Sequence, residues 1–334
     1  MNTQRIIISR TDSIGDVVLT LPMAGVLKKL FPNCTIIFLG QAYTRPVINA
    51  CEHIDEFIDL KQILSLPANE QIQYIRQLKA DIIIHVFPRK SIARLARKAR
   101  IPLRIGTTNR TYHWFTCNKL IRLSRKNSLY HEAQLNLKLI ESLGAKAIYS
   151  LEEISDFYNL TKIKSLKDEF KNLLSDKKFN LILHPKSKGS AKEWGIDHFA
   201  KLIELLPQDK FNICITGTLT DGESIKYSLI KKFPHLIDLT GKLNLDELIS
   251  FVFFADGMVA ASTGPLHIAA ALGKYIIGLY PSLRPIHAGR WAPLGIHAFY
   301  LEEDKSITER HGILDIRPED VKEKLMDFAK QIEK

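Results

Sequence analysis

The sequence predicts an α/β protein of two doubly wound domains, and three observations carry that prediction. Short β-rich runs alternate with segments of helical length from the first residues. The alternation fades between about 150 and 176 and then restarts. A chain of 334 residues also exceeds the size at which a single hydrophobic core usually stops growing. In the first half, RIIIS (5–9), TIIFLG (35–40), EFIDL (56–60), ADIIIHVF (80–87) and LRIG (103–106) read as strands, with helices over 17–30 and 91–100 among them. HEAQLNLKLIESLG (131–144) spaces Leu135, Leu139 and Leu143 at i, i+4, i+8 and ends in glycine, the pattern of an amphipathic helix. In the second half, NLILHP (180–185), FNICITG (211–217), GMVAAS (257–262) and YIIGLY (275–280) read as strands, interleaved with helices near 196–206, 221–233, 245–254 and 264–272. The expected division is 1–160 and 161–334.

Hydrophobic residues at 46% and charged residues at 25% describe an ordinary soluble protein. No apolar run approaches the roughly 18 to 20 residues of a membrane span, and the first residues lack the apolar block of a signal peptide, so a cytoplasmic location is expected. Cys34, Cys51, Cys117 and Cys214 show no CxxC or Cys/His pairing, which argues against a zinc site and a disulfide framework. Lys and Arg number 47 against 36 acids, and the excess of 11 favours contact with something anionic.

Four stretches can carry chemistry. In RTDSIGDVVLTLP (10–22), a strand end runs into a Gly-Asp pair and a helix starting near Asp16, which sets that carboxylate at the helix N-terminus facing the crevice beyond the strand ends; the alternative is that Asp12 or Asp16 only caps the helix. HPKSKGSAKEW (184–194) leaves a strand and offers Ser187, Ser190 and backbone amides beside Lys186, Lys188 and Lys192, a phosphate cradle without Walker spacing or else a basic surface loop. ASTGPLHIAAALG (261–273) ends a strand in Ser262-Thr263-Gly264, places Pro265 in a first helical turn, and suits a diphosphate at its N-terminus, with His267 one turn in as a further donor or a structural histidine. YPSLRPIHAGRWAPLG (280–295) holds Arg284, His287 and Arg290 in a proline-rich loop that can act as a lid or a positive wall.

Taken in order, GDVVLTLP after the first strand, RIG at 104–106, the His131 helix, Lys192-x-Trp194 after a strand ending in His-Pro, and STGPLHIAAALG resemble glycosyltransferase family 9, the ADP-heptose:lipopolysaccharide heptosyltransferases. The resemblance runs nearly the whole chain. It implies GT-B architecture, two Rossmann-like domains facing across a cleft, with acceptor on the N-terminal domain, donor on the C-terminal one, and a last helix (318–332) crossing back to the first. It implies Asp16 as general base. Donor contacts carry over to Ser187, Lys188, Lys192, Ser262, Thr263, Gly264 and His267, with Glu223 for the adenosine and Leu243 beside the base. Arg10, Ser13, Arg89 and Arg94 are the acceptor-side residues implied. The expected acceptor is the lipid A inner core at the inner-membrane surface, and Arg89, Lys90, Arg94, Arg97, Lys98 and Arg100 along one helix suit that anionic glycolipid. The ADP-sugar is a substrate; neither a cofactor nor a metal is required in principle, since lysine, hydroxyls and helix amides can hold the departing diphosphate. One departure stands out: Ser262 occupies the place where the family usually has Asp, near the donor sugar, which leaves open a different sugar.

Other readings share some of these signals. An NAD-dependent oxidoreductase would need a GxGxxG after a strand, and none is present. A non-catalytic nucleotide- or glycan-binding protein keeps the clefts and the charge without needing Asp16. Nucleic acid fits the basic excess but finds no aromatic platform or helix-turn-helix signature, so no nucleic-acid partner is expected.

Overall fold

Runs such as Ile6-Ile7-Ile8 and Ile82-Ile83-Ile84 are apolar on both faces, as strands covered on both sides by helices must be, and the computed structural model pairs them in parallel. Residues 4–125, 128–304 and 312–332 are described. They fall into two compact units, 1–162 and 163–334.

In the first unit, β1 (Arg5–Ser9), β2 (Thr35–Gly40), β3 (Glu56–Asp59), β4 (Ile82–His85), β5 (Leu103–Thr107) and β6 (Lys119–Ile121) form one parallel sheet in the order β3-β2-β1-β4-β5-β6. In the second, β7 (Phe179–His184), β8 (Phe211–Ile215), β9 (Ile237–Asp238), β10 (Gly257–Ala261), β11 (Tyr275–Tyr280) and β12 (Ala298–Glu302) are ordered β12-β11-β10-β7-β8-β9. Each sheet therefore reverses direction once, between β1 and β4 and between β7 and β10, and crevices at such switch points are where doubly wound folds bind ligands. β6, β9 and β12 escape the sequence reading because they are outer strands: partly exposed, they lack the unbroken apolar run of a central strand.

The helix expected over 17–30 is two helices, Ile14–Val18 and Leu21–Leu30. Pro22 has no N–H to give the carbonyl four residues back, so the first helix ends and a second begins with the proline in its first turn. Gly25 in the second lies where a Cβ would sit 2.5 Å from the Phe157 carbonyl oxygen, so the close packing there requires glycine. The 131–144 helix is α-helical over Glu132–Lys138, tightens to a 3₁₀ turn at Glu141–Leu143, and stops at Gly144 with φ +103°.

Strand β7 divides the second core by its alternation. Leu181 and Leu183 join Trp194, Phe199 and the final helix, while Ile182 faces Met258, Ala260 and Leu266. The final helix, Pro318–Gln331, buries Val321, Leu325 and Phe328 in that same core. All four cysteines are buried free thiols. Among the described residues no helix is long and apolar enough to cross a membrane.

Candidate active site

In the first unit, candidate residues gather where β1 ends. Ser13 caps the helix Ile14–Val18, and Asp16 stands in that helix's first turn. The Asp16 carboxylate accepts from Ser13 Oγ at 2.6 Å through one oxygen and pairs with Arg10 through the other, while remaining 18% exposed. Asp16 is thus held in place and still open to solvent; it is not the cap, a task that Ser13 performs.

Arg10 organises the cluster. Its guanidinium is 3% exposed and binds Asp12 (2.7 Å), Asp16, Glu132 (3.4 Å) and Asn136 (3.3 Å). With all three nitrogens engaged within this cluster, Arg10, expected on the acceptor side, orients Asp16. Glu132 also accepts from Arg125 at 2.9 Å, and Asn136 donates to the Leu19 carbonyl, tying the helix Glu132–Lys138 to the turn. Burial pushes the Asp12 carboxyl up to about 6, with Arg10 opposing and the neighbouring Asp16 charge adding to the rise.

The turn is gripped from the other side as well. Gln41 donates to the Thr11 carbonyl at 2.7 Å, and the Tyr43 hydroxyl donates to the Asp12 carbonyl at 2.6 Å. Arg89, expected on the acceptor side, also donates twice to Thr11. Arg94 lies on the exposed face of the helix Lys90–Lys98, away from this network. Glu132 and Asn136 escape the sequence reading although they stand at i and i+4 on one helix face, a spacing that signals a shared partner.

In the second unit, candidate residues gather where β7 and β10 end. The loop after β7 is organised by Ser187, whose hydroxyl donates to the Ala191 carbonyl at 2.9 Å and accepts from the Gly189 amide. Ser187 also gives its amide to Glu193 at 2.8 Å. Its lysines differ from one another. Lys186 is paired with Glu193 at 2.5 Å, Lys192 with the buried Glu303 at 2.9 Å, and Lys188 is exposed at φ +52°. Lys188 and Lys192, both expected as donor contacts, thus stand differently: Lys188 is open to solvent, and Lys192 is held by an acid that the sequence reading missed. At the same sheet end, burial lowers the His184 imidazole to about 4, and its Nδ1 lies 2.9 Å from Thr216 Oγ1.

After β10, Thr263 is the N-cap residue of the helix Gly264–Ala271, yet its hydroxyl makes no capping bond; Oγ1 is buried and has no partner. The unbonded amides of the helix start and that hydroxyl form a donor set for an anion. His267 is buried one turn on. Ser262 is hydrogen-bonded to the buried Tyr280 phenol, whose hydroxyl donates to the Trp291 carbonyl at 2.6 Å. Glu223 is exposed on the helix Leu219–Ile225, and Leu243 packs at the edge of the core beneath β10. In the proline-rich loop, Arg284 is exposed and His287 caps the short helix Ala288–Trp291.

The family model described as glycosyltransferase family 9 (heptosyltransferase) matches residues 70–311. Lipopolysaccharide heptosyltransferase 3 of Escherichia coli is 24% identical over 320 residues, 90% of this chain and 88% of that one. A lipopolysaccharide core heptosyltransferase of Haemophilus influenzae is 23% identical over 84% of this chain and 79% of that one. Among solved structures, a family 9 glycosyl transferase from Veillonella parvula superposes with a TM-score of 0.78 at 22% identity, covering 98% of this chain and 97% of that one. The E. coli ADP-heptose lps heptosyltransferase II gives 0.75 at 19% identity over 99% and 100%. The two Rossmann-like sheets are those of the GT-B class to which these structures belong.

Proposed function

Because the chain belongs to glycosyltransferase family 9, we propose that it transfers a heptose, with inversion, from ADP-heptose to the inner core of a lipopolysaccharide acceptor on the cytoplasmic face of the inner membrane. The first unit takes the acceptor and the second the donor. As the acceptor hydroxyl attacks the anomeric carbon, Asp16 takes its proton, and the bond from that carbon to the diphosphate breaks with its electron pair leaving on ADP. Arg10 and Ser13 aim the carboxylate. The Thr263 hydroxyl, the amides from Gly264 onward, Ser187, Lys188, Lys192 and His267 receive the charge that develops on the diphosphate, a load they can carry without a metal. Glu223 and Leu243 border the adenosine. Arg94 and the other cations of its helix meet the acceptor's carboxylates and phosphates.

The observation that carries this reading is the pinned, solvent-reaching Asp16 at the switch point of a family 9 chain. The test is ADP release from ADP-heptose with and without a Kdo-lipid A acceptor. Acceptor-dependent release with a heptosylated product supports the reading. Tight ADP binding without release, on any acceptor of a panel, would make the chain a binding protein. A second possibility, a related sugar on the same nucleotide, follows from serine standing at 262 where the family resemblance implies aspartate, and a panel of ADP-sugars separates it from heptose.

A further inference from the structure

Between Asp81 and Glu132 the sequence contains twelve Lys or Arg and not one Asp or Glu, while the whole chain has an excess of 11. The positive charge of the protein is therefore concentrated in this one segment, and the remaining residues are acidic by one. In the middle of it stand two adjacent large side chains that the fold leaves in water: Trp114, 58% exposed, and Phe115, 71% exposed. They lie on the short helix His113–Thr116, whose other side chains, His113 and Thr116, are buried.

This pair is fixed in place and ringed by cations. Trp114 Nε1 donates to the Thr108 carbonyl at 2.9 Å, which satisfies the polar edge of the indole and leaves its apolar body outward. Arg97 donates to the Phe115 carbonyl at 2.6 Å and Arg104 to the Thr116 carbonyl at 2.8 Å. The His113 amide bonds the Arg110 carbonyl at 2.9 Å, which places Arg110 one turn before the pair. The neighbouring helix Lys90–Lys98 buries Ile92, Ala93, Leu95 and Ala96 and turns Arg94, Arg97 and Lys98 to solvent.

Exposed aromatics beside a segment rich in arginine and lysine suit a surface that is anionic at its face and apolar just beneath. We propose that Trp114 and Phe115 are a wedge that enters an anionic phospholipid bilayer while the surrounding arginines and lysines hold its headgroups. The charge commits the partner: a neutral bilayer or an apolar protein groove would use the aromatics and waste the cations. The proposal deepens the glycolipid reading, on which it rests for its biological sense, by naming where the membrane meets the protein.

The experiment is co-sedimentation of the full chain with phosphatidylcholine vesicles, with or without one-third phosphatidylglycerol and free of any lipopolysaccharide, for wild type, Phe115→Ala and Trp114→Ala/Phe115→Ala. Wild type is expected to partition into the anionic vesicles ~10-fold or more better than into neutral ones, and to lose that preference in high salt. Phe115→Ala removes only exposed surface and should weaken anionic binding several-fold, and the double variant ~10-fold or more. ADP affinity by calorimetry, and turnover on a delipidated soluble acceptor, should stay at the wild-type level in both variants. Equal vesicle binding by wild type and double variant, or no preference for anionic vesicles, would overturn the wedge. Loss of turnover on the soluble acceptor in wild type would instead strike the transferase reading and leave the vesicle result standing.

Discussion

The two units wind six parallel strands in the same order and reverse direction at the same place, yet they put opposite chemistry there. At the end of β1 the first unit gathers three carboxylates, Asp12, Asp16 and Glu132, around one buried guanidinium. At the ends of β7 and β10 the second unit offers a hydroxyl, lysines and the start of a helix. Overall charge runs the other way. The first unit has 23 Lys or Arg against 13 acids, and the second has 24 against 23. The unit with the acidic centre thus carries almost the whole basic surplus, and the proposed phosphate-binding unit is near neutral. The scaffold fixes where a site can form, while the few residues that follow each central strand fix what it does. Net charge says what the surface meets and nothing about the centre of the site.

Removing the carboxylate is the strongest way to break this contrast. Asp16→Asn keeps an oxygen for Ser13 or Arg10 but cannot take a proton, so kcat should fall ~100-fold or more while ADP affinity is unchanged, because the proposed contacts to ADP lie in the second unit. Near wild-type turnover would move the base elsewhere, and Asp12, beside it on Arg10, would be the next residue to test.

The organiser comes next. Arg10→Met takes a cation from Asp12, Asp16 and Glu132, while Arg125 stays on Glu132. Breaking a buried charge network in this way costs ~3 kcal/mol or more, though partial exposure of Asp12 and Asp16 holds the cost to that lower end. Urea unfolding should show the loss, and hydrogen exchange should place it in β1 and β4 and not in β7 and β10. Uniform loss of protection across both units would mean that Arg10 supports more than its own site.

Much of this was legible beforehand, and the exceptions share a physical cause. Central strands announce themselves because burial on both faces demands apolar runs, and Asp16, Thr263 and Gly264 stand out because a strand-to-helix turn is a local pattern. Edge strands β6, β9 and β12 were not legible, because half-exposed strands carry no such run. Nor were the partners supplied from far along the chain: Glu303 for Lys192 and Glu132 and Asn136 for Arg10 lie more than a hundred residues away, and no local spacing encodes them. Arg10 and Lys192, both expected as substrate contacts, therefore also hold buried acids that no local pattern announced.

The Lys192–Glu303 pair sharpens the comparison on the donor side. Lys192→Ala should weaken ADP binding ~10- to 100-fold, the scale of one charge-assisted contact, and should also lower stability, because Glu303 is left buried and unpaired. Adding Glu303→Gln should restore the unfolding midpoint without restoring ADP affinity. If the double variant recovers both, Lys192 acts only by neutralising Glu303 and makes no contact with the diphosphate.

The smallest effect is expected at Ser262, where the chain departs from its family. Its side chain is engaged by the buried Tyr280 phenol, itself fixed on the Trp291 carbonyl, so Ser262 belongs to a structural hydrogen-bond chain at the end of β10. A carboxylate placed there would accept from sugar hydroxyls that serine contacts weakly, and it would also repel a nearby diphosphate. Ser262→Asp should therefore change relative kcat/KM among donors that share ADP and differ in sugar by ~1 to 3 kcal/mol, the scale of one hydrogen-bonding group altered in a pocket. Affinity for ADP alone should move little or fall slightly. The measurement is a donor panel run on both proteins with one acceptor. An identical ranking of donors would mean that position 262 does not read the sugar, and that serine is kept there for Tyr280.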